Sequence, residues 1–335
     1  MQTLLQSKDL VVGYAKGKAE EVVLHRHINV QLQRGEFACL LGPNGAGKST
    51  LIKTLSGFIP RIEGEVSVNG KALSNYKKAE LSKVVSVVLT EKLMVPNMTV
   101  FDLVALGRTP YTDFFGTLRK EDKVHILEAI NDVGLNGFAN RQLIQMSDGE
   151  RQKAMIAKAL VQDTPLIILD EPTAFLDLPS KIEIVQLLKK LARNKNKGIL
   201  LSTHDLDLAL QLADKIWLLA QGRKLESGIP EDLILTNGFK RFFEKEGIIF
   251  DNESGAFKVE REQLKTIRVV GTGVEYKWLS HALNRTGYQT TDNGDGYPKI
   301  EIDHKTNNAF ILHHSDGTRH KLRTIEDLLQ QITLD

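Results

Sequence analysis

Unbroken apolar runs punctuate the first two-thirds of the chain. They are Phe37-Ala38-Cys39-Leu40-Leu41, Val84-Val85-Ser86-Val87-Val88-Leu89, Leu166-Ile167-Ile168-Leu169 and Ile199-Leu200-Leu201. Runs this short and this apolar predict strands buried on both faces, as in a parallel sheet. Segments with helical spacing lie between them. Leu51, Ile52 and Leu55 follow the first run, and residues 119–134 mix charged and apolar positions. Ala154, Ile156, Ala157 and Leu160 mark a helix over Asp148–Val161, and Ile182, Val185, Leu188 and Leu191 another over 180–193. Strands alternating with helices predict a parallel α/β layer.

The flanks read differently. Residues 8–38 predict short strands at Leu10–Val12, Val22–Leu24 and Ile28–Leu32, punctuated by Gly13, Gly17 and Gly35, with Tyr14 just after the first. Tyr14 suits either a half-buried sheet aromatic or a stacking platform for a base. Gly64–Gly70 predicts a strand closed by a turn, and Ile216–Ala220 a strand running into a turn at Gln221-Gly222-Arg223. Residues 93–118 carry Pro96, Gly107, Pro110, Gly116, Tyr111, Phe114 and Phe115, which is too broken for one long helix. That stretch is either core or an apolar surface for a partner.

From Asp251 the pattern changes. Asp251–Gly255 reads as a polar linker or hairpin turn. Beyond it the spacing predicts a strand (267–270), a helix (275–286), strands at 298–303 and 308–313, and a last helix at 324–333. Such an α+β unit of about 70 residues is marginal by itself and better docked or dimerised.

Between the first apolar run and its helix stands Gly42-Pro43-Asn44-Gly45-Ala46-Gly47-Lys48-Ser49-Thr50, the P-loop pattern in its strand–loop–helix context. Glycines let the backbone approach a phosphate closely and turn N–H groups toward it. The helix N-terminus adds unpaired donors and a partial positive charge. Lys48 then reaches the β/γ-phosphates, and Ser49 offers its hydroxyl to Mg²⁺.

Composition narrows the class. At 335 residues the chain has room for about two domains. Its 44 basic and 42 acidic residues leave a formal charge of +2, with no electrostatic footprint for nucleic acid. No stretch approaches the ~18 apolar residues of a membrane helix. The N-terminal Met1–Gln6 lacks the features of a signal peptide. The single cysteine, Cys39, reads as a small buried hydrophobe, and a reducing cytosol is the simplest home. Five of the nine histidines, His281, His304, His313, His314 and His320, lie in the C-terminal unit. A metal sensor could use such a group. On a strand, however, His313 and His314 point to opposite faces, and no pair has a ligand spacing, so ordinary surface and half-buried histidines are the preferred reading.

A P-loop says only nucleotide; the rest of the constellation says more. Met146-Ser147-Asp148-Gly149-Glu150-Arg151-Gln152 opens a helix, with Ser147 as N-cap and Glu150 three residues on, a capping box. One apolar run ends in Asp170-Glu171-Pro172-Thr173 and another in Ser202-Thr203-His204-Asp205. With these motifs in this order, residues 1 to 250 resemble the ATPase subunits of ATP-binding cassette (ABC) transporters. The resemblance implies an α/β P-loop cassette with a parallel core sheet, an antiparallel β subdomain and a helical subdomain. The division that follows is a cassette over 1–250, a linker or hairpin over 251–265, and a small α+β domain over 266–335, regulatory or dimerising.

The resemblance also assigns roles. Tyr14 matches the aromatic that stacks on adenine. Asp170 holds Mg²⁺ through water, Glu171 polarises the attacking water, and His204 contacts the γ-phosphate. Two cassettes pack head to tail, so that Ser147, Gly149, Glu150 and Asp177 complete the ATP site of the partner copy. Phe175-Leu176-Asp177 is the loop that crosses to it. Closure completes the site only around ATP. The implied partners are two membrane-spanning permease subunits and, through them, a substrate-binding protein. The implied place is the cytoplasmic face of the inner membrane.

Two departures from the family pattern stand out. Its signature usually reads Leu-Ser-Gly-Gly-Gln, whereas Asp148 and Glu150 introduce carboxylates here. A glutamine is usual near the end of the strand after Val84; here Leu89-Thr90-Glu91 stands there, and Thr90 or Glu91 is the remaining candidate to reach Mg²⁺. Within the family, Met98–Val100 with Ala105–Tyr111, and Gly247–Asp251 with Ser254–Val259, look like importers of iron–siderophore, haem or cobalamin. The region around 93–116 flanks the groove that receives a helix of the membrane subunit, so Tyr111, Phe114 or Phe115 is expected at that surface. The alternatives are an ABC ATPase of another transporter, an exporter included, a soluble cassette ATPase acting on ribosomes or DNA, and a P-loop kinase or GTPase. The missing second cassette or coiled coil disfavours the soluble ATPase, the 98–111 and 247–259 stretches disfavour an exporter, and Ser147–Glu150 with His204 disfavours a kinase or GTPase.

Overall fold

The computed structural model describes residues 2–16, 20–89, 95–245, 247–259, 265–292, 298–303 and 309–333. They fall into two compact units, Met1–Glu244 with Phe250–Phe257, and Lys245–Ile249 with Lys258–Asp335.

In chain order the first unit begins with β1 (Thr3–Lys16), β2 (Glu20–Ile28), β3 (Gln31–Gln33), β4 (Phe37–Leu41) and α1 (Lys48–Leu55). Next come β5 (Glu63–Val68), β6 (Lys71–Ala72), α2 (Lys78–Leu81), β7 (Val85–Val88), α3 (Val100–Ala105), α4 (Lys120–Asp132) and α5 (Asp148–Val161). It ends with β8 (Leu166–Asp170), α6 (Leu178–Asn194), β9 (Gly198–Thr203), α7 (Leu206–Leu212), β10 (Lys215–Leu218), β11 (Glu226–Gly228), α8 (Pro230–Leu235) and α9 (Gly238–Phe243).

The apolar runs form one sheet in the order β11-β10-β4-β9-β8-β7, parallel except for the edge pair β10–β11. Its strands alternate between two cores, which is why they had to be apolar throughout. On β4, Phe37, Cys39 and Leu41 join the core shared with α3–α6, whereas Ala38 and Leu40 join the other. That second core takes Leu51, Ile52 and Leu55 of α1 and roofs them with the antiparallel sheet β2-β1-β5-β6, against which β3 also pairs. Helix α1, and the loop that leads into it, are thus fixed between two sheets. Burial pushes the Cys39 thiol well above its ordinary range, so it serves as core.

Two expectations for the N-terminal strands are corrected. Tyr14 lies within β1, because the strand continues through Gly13, where the Val22 carbonyl would come within 2.0 Å of a Cβ. The predicted strand Ile28–Leu32 is broken at Asn29-Val30, just after His27 takes a left-handed φ of 55°.

The second unit includes β14 (Lys265–Val270), α10 (Gly273–Arg285), β15 (Tyr288–Thr291), β16 (Lys299–Asp303), β17 (Ala309–His313), β18 (Arg319–Leu322) and α11 (Ile325–Thr333). Before them β12 (Ile248–Asp251) and β13 (Ala256–Val259) form a two-stranded ladder. The sheet order is β15-β14-β16-β17-β18, and α10 and α11 supply Leu279, Leu283, Leu328 and Ile332 to its core. His314 lies just beyond β17 with its ring 5.1 Å from that of His320, and His313 stands 3.3 Å from Glu301. His304 lies outside the described residues.

Candidate active site

The loop Gly42–Gly47 joins β4 to α1. Gly47 caps the helix with φ 90°, a conformation that carries the chain sharply into its first turn. Ala46 N–H donates to Pro43 O at 3.1 Å, closing the loop on itself. From below, His25 of β2 is buried, and its Nε2–H donates to Ala46 O at 2.6 Å. Asn44, Gly45 and Ser49 are exposed, whereas Lys48 is 5 % exposed. The Lys48 ammonium donates to Gly42 O at 2.9 Å and Pro43 O at 3.4 Å, and lies 3.4 Å from Glu171 Oε1.

The acidic pair arrives from the next strand but one. Asp170 ends β8, buried, and its Oδ1 accepts a hydrogen bond from Ser202 Oγ at 2.6 Å. Glu171 follows with φ 47°, unusual for a residue with a side chain, and its N–H donates to Ser202 Oγ at 2.9 Å. His204 lies exposed just past the end of β9. The next residue, Asp205, accepts from Lys181 Nζ at 3.2 Å and from Thr173 Oγ1 at 3.5 Å, tying the His204 turn to the start of α6. Lys48, Asp170, Glu171 and His204 therefore sit at the carboxyl ends of neighbouring parallel strands and the turns that leave them, the place where open α/β sheets bind ligands. Tyr14 is 51 % exposed on β1.

The donor set fits a hard cation. Ser49 offers a hydroxyl and Asp170 a carboxylate, and among the described residues no group of three or more His, Cys, Asp or Glu comes together. Few protein oxygens are what Mg²⁺ needs when waters and substrate phosphates complete its shell. Thr90 and Glu91 lie outside the described residues.

The second motif group stands at the starts of α5 and α6. Ser147 caps α5: its side chain accepts from Glu150 N–H at 3.2 Å, and Glu150 Oε2 accepts from Ser147 N–H at 2.8 Å. Both departures from the signature are neutralised within the chain. Asp148 pairs with Arg151 one turn along the helix, and Arg141 Nη1 lies 3.6 Å from Glu150 Oε1. Neither arginine was singled out from the sequence, although the i,i+3 spacing of Asp148 and Arg151 was a signal for the first. Asp177 caps α6, its Oδ1 accepting from Ser180 N–H at 3.1 Å, and hydrogen bonds from the Ser180 side chain and then its N–H hold the carboxyl below the ordinary range. Gly149 faces Ser180, whose Oγ would lie 3.2 Å from a Cβ there, so the two helix starts meet. Phe175, at φ 67°, is 75 % exposed between them and the acidic pair.

In the helical segment, Phe114 and Phe115 are 97 % and 88 % exposed, their rings edge to face at 5.6 Å. Tyr111 belongs to the fold instead: its hydroxyl donates to Gln162 O at 3.1 Å, and the Arg108 guanidinium stacks 4.0 Å from its ring.

Comparison with known proteins agrees with this geometry. Residues 25–174 match the ABC transporter family model, and residues 264–333 match that of the iron ABC transporter C-terminal domain. An uncharacterized ABC transporter ATP-binding protein of Methanocaldococcus jannaschii is 40 % identical over 79 % of this chain and 90 % of its own length. The ferric enterobactin transport ATP-binding protein of Escherichia coli is 31 % identical over 74 % of this chain and 90 % of its own. Among solved structures, an ATP-binding cassette dimer in a post-hydrolysis state with ADP and Pi superposes with a TM-score of 0.58 at 28 % identity. That match covers 68 % of this chain and 99 % of the other.

Proposed function

The chain belongs to the ATP-binding subunits of ABC transporters and is an ATPase; from that premise we propose that it powers import of an iron chelate of the siderophore class. The match of residues 264–333 to an iron-transporter domain and the siderophore transport of the E. coli relative support that substrate class. The observation that carries the reading is the meeting of Lys48, Asp170 and Glu171 around one turn, with Lys48 Nζ 3.4 Å from Glu171 Oε1.

In this reading the backbone N–H groups of Gly42–Thr50 cradle the phosphates, and Lys48 neutralises the β/γ oxygens. Tyr14 stacks on adenine. Ser49 and Asp170 would hold Mg²⁺, which would offset phosphate charge. Water attacks the γ-phosphorus in line and the bond to the β-phosphate oxygen breaks. The proton of the water passes to Glu171, while His204 steadies the γ-phosphoryl oxygens. Ser147, Gly149, Glu150 and Asp177 act from a second copy; the post-hydrolysis cassette dimer supports that arrangement. The permease subunits dock at Phe114 and Phe115, and the protein is peripheral to the membrane. Among the described residues no helix is long and apolar enough to cross one. The division into a cassette over 1–250, a hairpin over 251–265 and a C-terminal domain over 266–335 is part of the same proposal.

The test is uptake. Cells lacking the gene should lose ATP-driven accumulation of a labelled ferric siderophore and regain it with the wild-type chain but not with Lys48→Ala. Unchanged uptake of every ferric chelate tried, with loss of another solute, would replace the substrate class while keeping the ATPase.

A further inference from the structure

The last residue but one of strand β9 is used by no part of the reaction described above. Ser202 is fully buried, and in the parallel ladder it stands beside Asp170. Its hydroxyl has one proton and two lone pairs. The proton goes to Asp170 Oδ1 at 2.6 Å, a short charge-assisted contact, and a lone pair accepts Glu171 N–H at 2.9 Å. One side chain therefore grips both acidic residues. The grip falls where the backbone is under strain: Glu171 holds φ 47°, a region that costs a non-glycine residue.

We propose that Ser202 is a positioning residue for hydrolysis, orienting the Asp170 carboxylate toward the cation and fixing the peptide from which Glu171 projects. The proposal rests on the reading of Asp170 and Glu171 given above. The fold does not need the hydroxyl, because Glu171 N–H also reaches the Ser202 carbonyl at 3.2 Å and the β8–β9 ladder is made by backbone. Alanine at 202 therefore keeps the strand and the turn but removes the Ser202 hydrogen bond from the Asp170 carboxylate. A valine would fill the space without any hydrogen bond, whereas threonine retains Oγ on a β-branched side chain that suits a strand.

The experiment uses the full chain as wild type, Ser202→Ala, Ser202→Val and Ser202→Thr. Four quantities are read: kcat and KM for Mg-ATP, the dissociation constant of a fluorescent ATP analogue in EDTA, Mn²⁺ affinity of the ATP complex by electron paramagnetic resonance, and the melting temperature. Losing one hydrogen bond to a charged group predicts a fall in kcat on the order of 10-fold for Ser202→Ala. Mn²⁺ affinity should weaken several-fold, while metal-free nucleotide affinity and melting temperature stay at wild-type values. Ser202→Thr should recover both kcat and Mn²⁺ affinity. Wild-type kcat and Mn²⁺ affinity in both Ser202→Ala and Ser202→Val would overturn the proposal and leave the ATPase reading intact. A parallel loss of metal-free affinity and melting temperature would overturn it in favour of a purely structural serine. A wild-type chain that turned over no ATP would overturn the reading beneath it as well.

Discussion

The ammonium of Lys48 lies 3.4 Å from a carboxylate oxygen of Glu171, joining the turn after β4 to the end of β8. The same ammonium donates to the Gly42 carbonyl, so one buried cation ties the phosphate loop to the acidic turn. On the proposed reading, Lys48→Ala should remove a charge-assisted contact to phosphate worth about 1.5–3 kcal/mol, or about 10- to 150-fold in ATP affinity. Equilibrium binding of Mg-ATP at fixed salt measures it, and an unchanged dissociation constant would remove Lys48 from the site.

Asp148 brings a carboxylate to a helix start that, in the proposed dimer, faces the partner copy's polyphosphate, and Arg151 pairs with it. Arg151→Ala should lower steady-state ATPase activity by about 2- to 5-fold, the scale of ~0.5–1 kcal/mol for a partly exposed pair. Asp148→Gly with Arg151→Ala should restore it. A double variant no better than Arg151→Ala would show that Arg151 acts by some route other than Asp148.

The exposed edge-to-face pair Phe114 and Phe115 has the chemistry of an interface anchor. Replacing either by alanine should cost about 2–4 kcal/mol in permease binding. ATP affinity and melting temperature of the free subunit should not move. Co-purification with the membrane subunits reads the difference, and normal recovery of the complex with both alanines present would place docking elsewhere.

Asp122 accepts Arg119 N–H at 2.9 Å and Arg108 Nε–H at 2.9 Å, and these contacts hold its carboxyl below the usual carboxylate range. A depressed folded value means the stabilisation is complete above the ordinary aspartate pKa of about 3.9 and is lost as pH falls through the lower folded value. Asp122→Asn should therefore lower the melting temperature at neutral pH and flatten its decline on acidification below about pH 4. Melting curves across that range test it; equal acid sensitivity in both proteins would deny Asp122 a share.

What the sequence made legible follows from local signals. The cap at Ser147 placed the start of α5, and unbroken apolar runs placed β4, β7, β8 and β9 to within a residue or two. Strands β15 and β18 were missed because Tyr288–Thr291 and Arg319–Leu322 are short edge strands with little apolar alternation. Tyr14 was set outside its strand because Gly13 read as punctuation, whereas it is a point of close backbone approach. The chemical residues were legible as motifs. Their supports were not: His25 under Ala46, and Ser202 beside Asp170, are contacts between distant segments that no local spacing encodes.

The central claim is that Glu171 takes the proton of the attacking water in a site built by Lys48 and Asp170. The direct measurement is single-turnover phosphate release from Mg-ATP by the full chain and by Glu171→Gln, with nucleotide affinity measured in parallel. A positioned general base contributes on the order of 10²–10⁴-fold. Glu171→Gln should therefore bind Mg-ATP as the wild type does, release phosphate at least about 100-fold more slowly, and accumulate as an ATP-bound dimer. Phosphate release by Glu171→Gln at the wild-type rate would contradict the account.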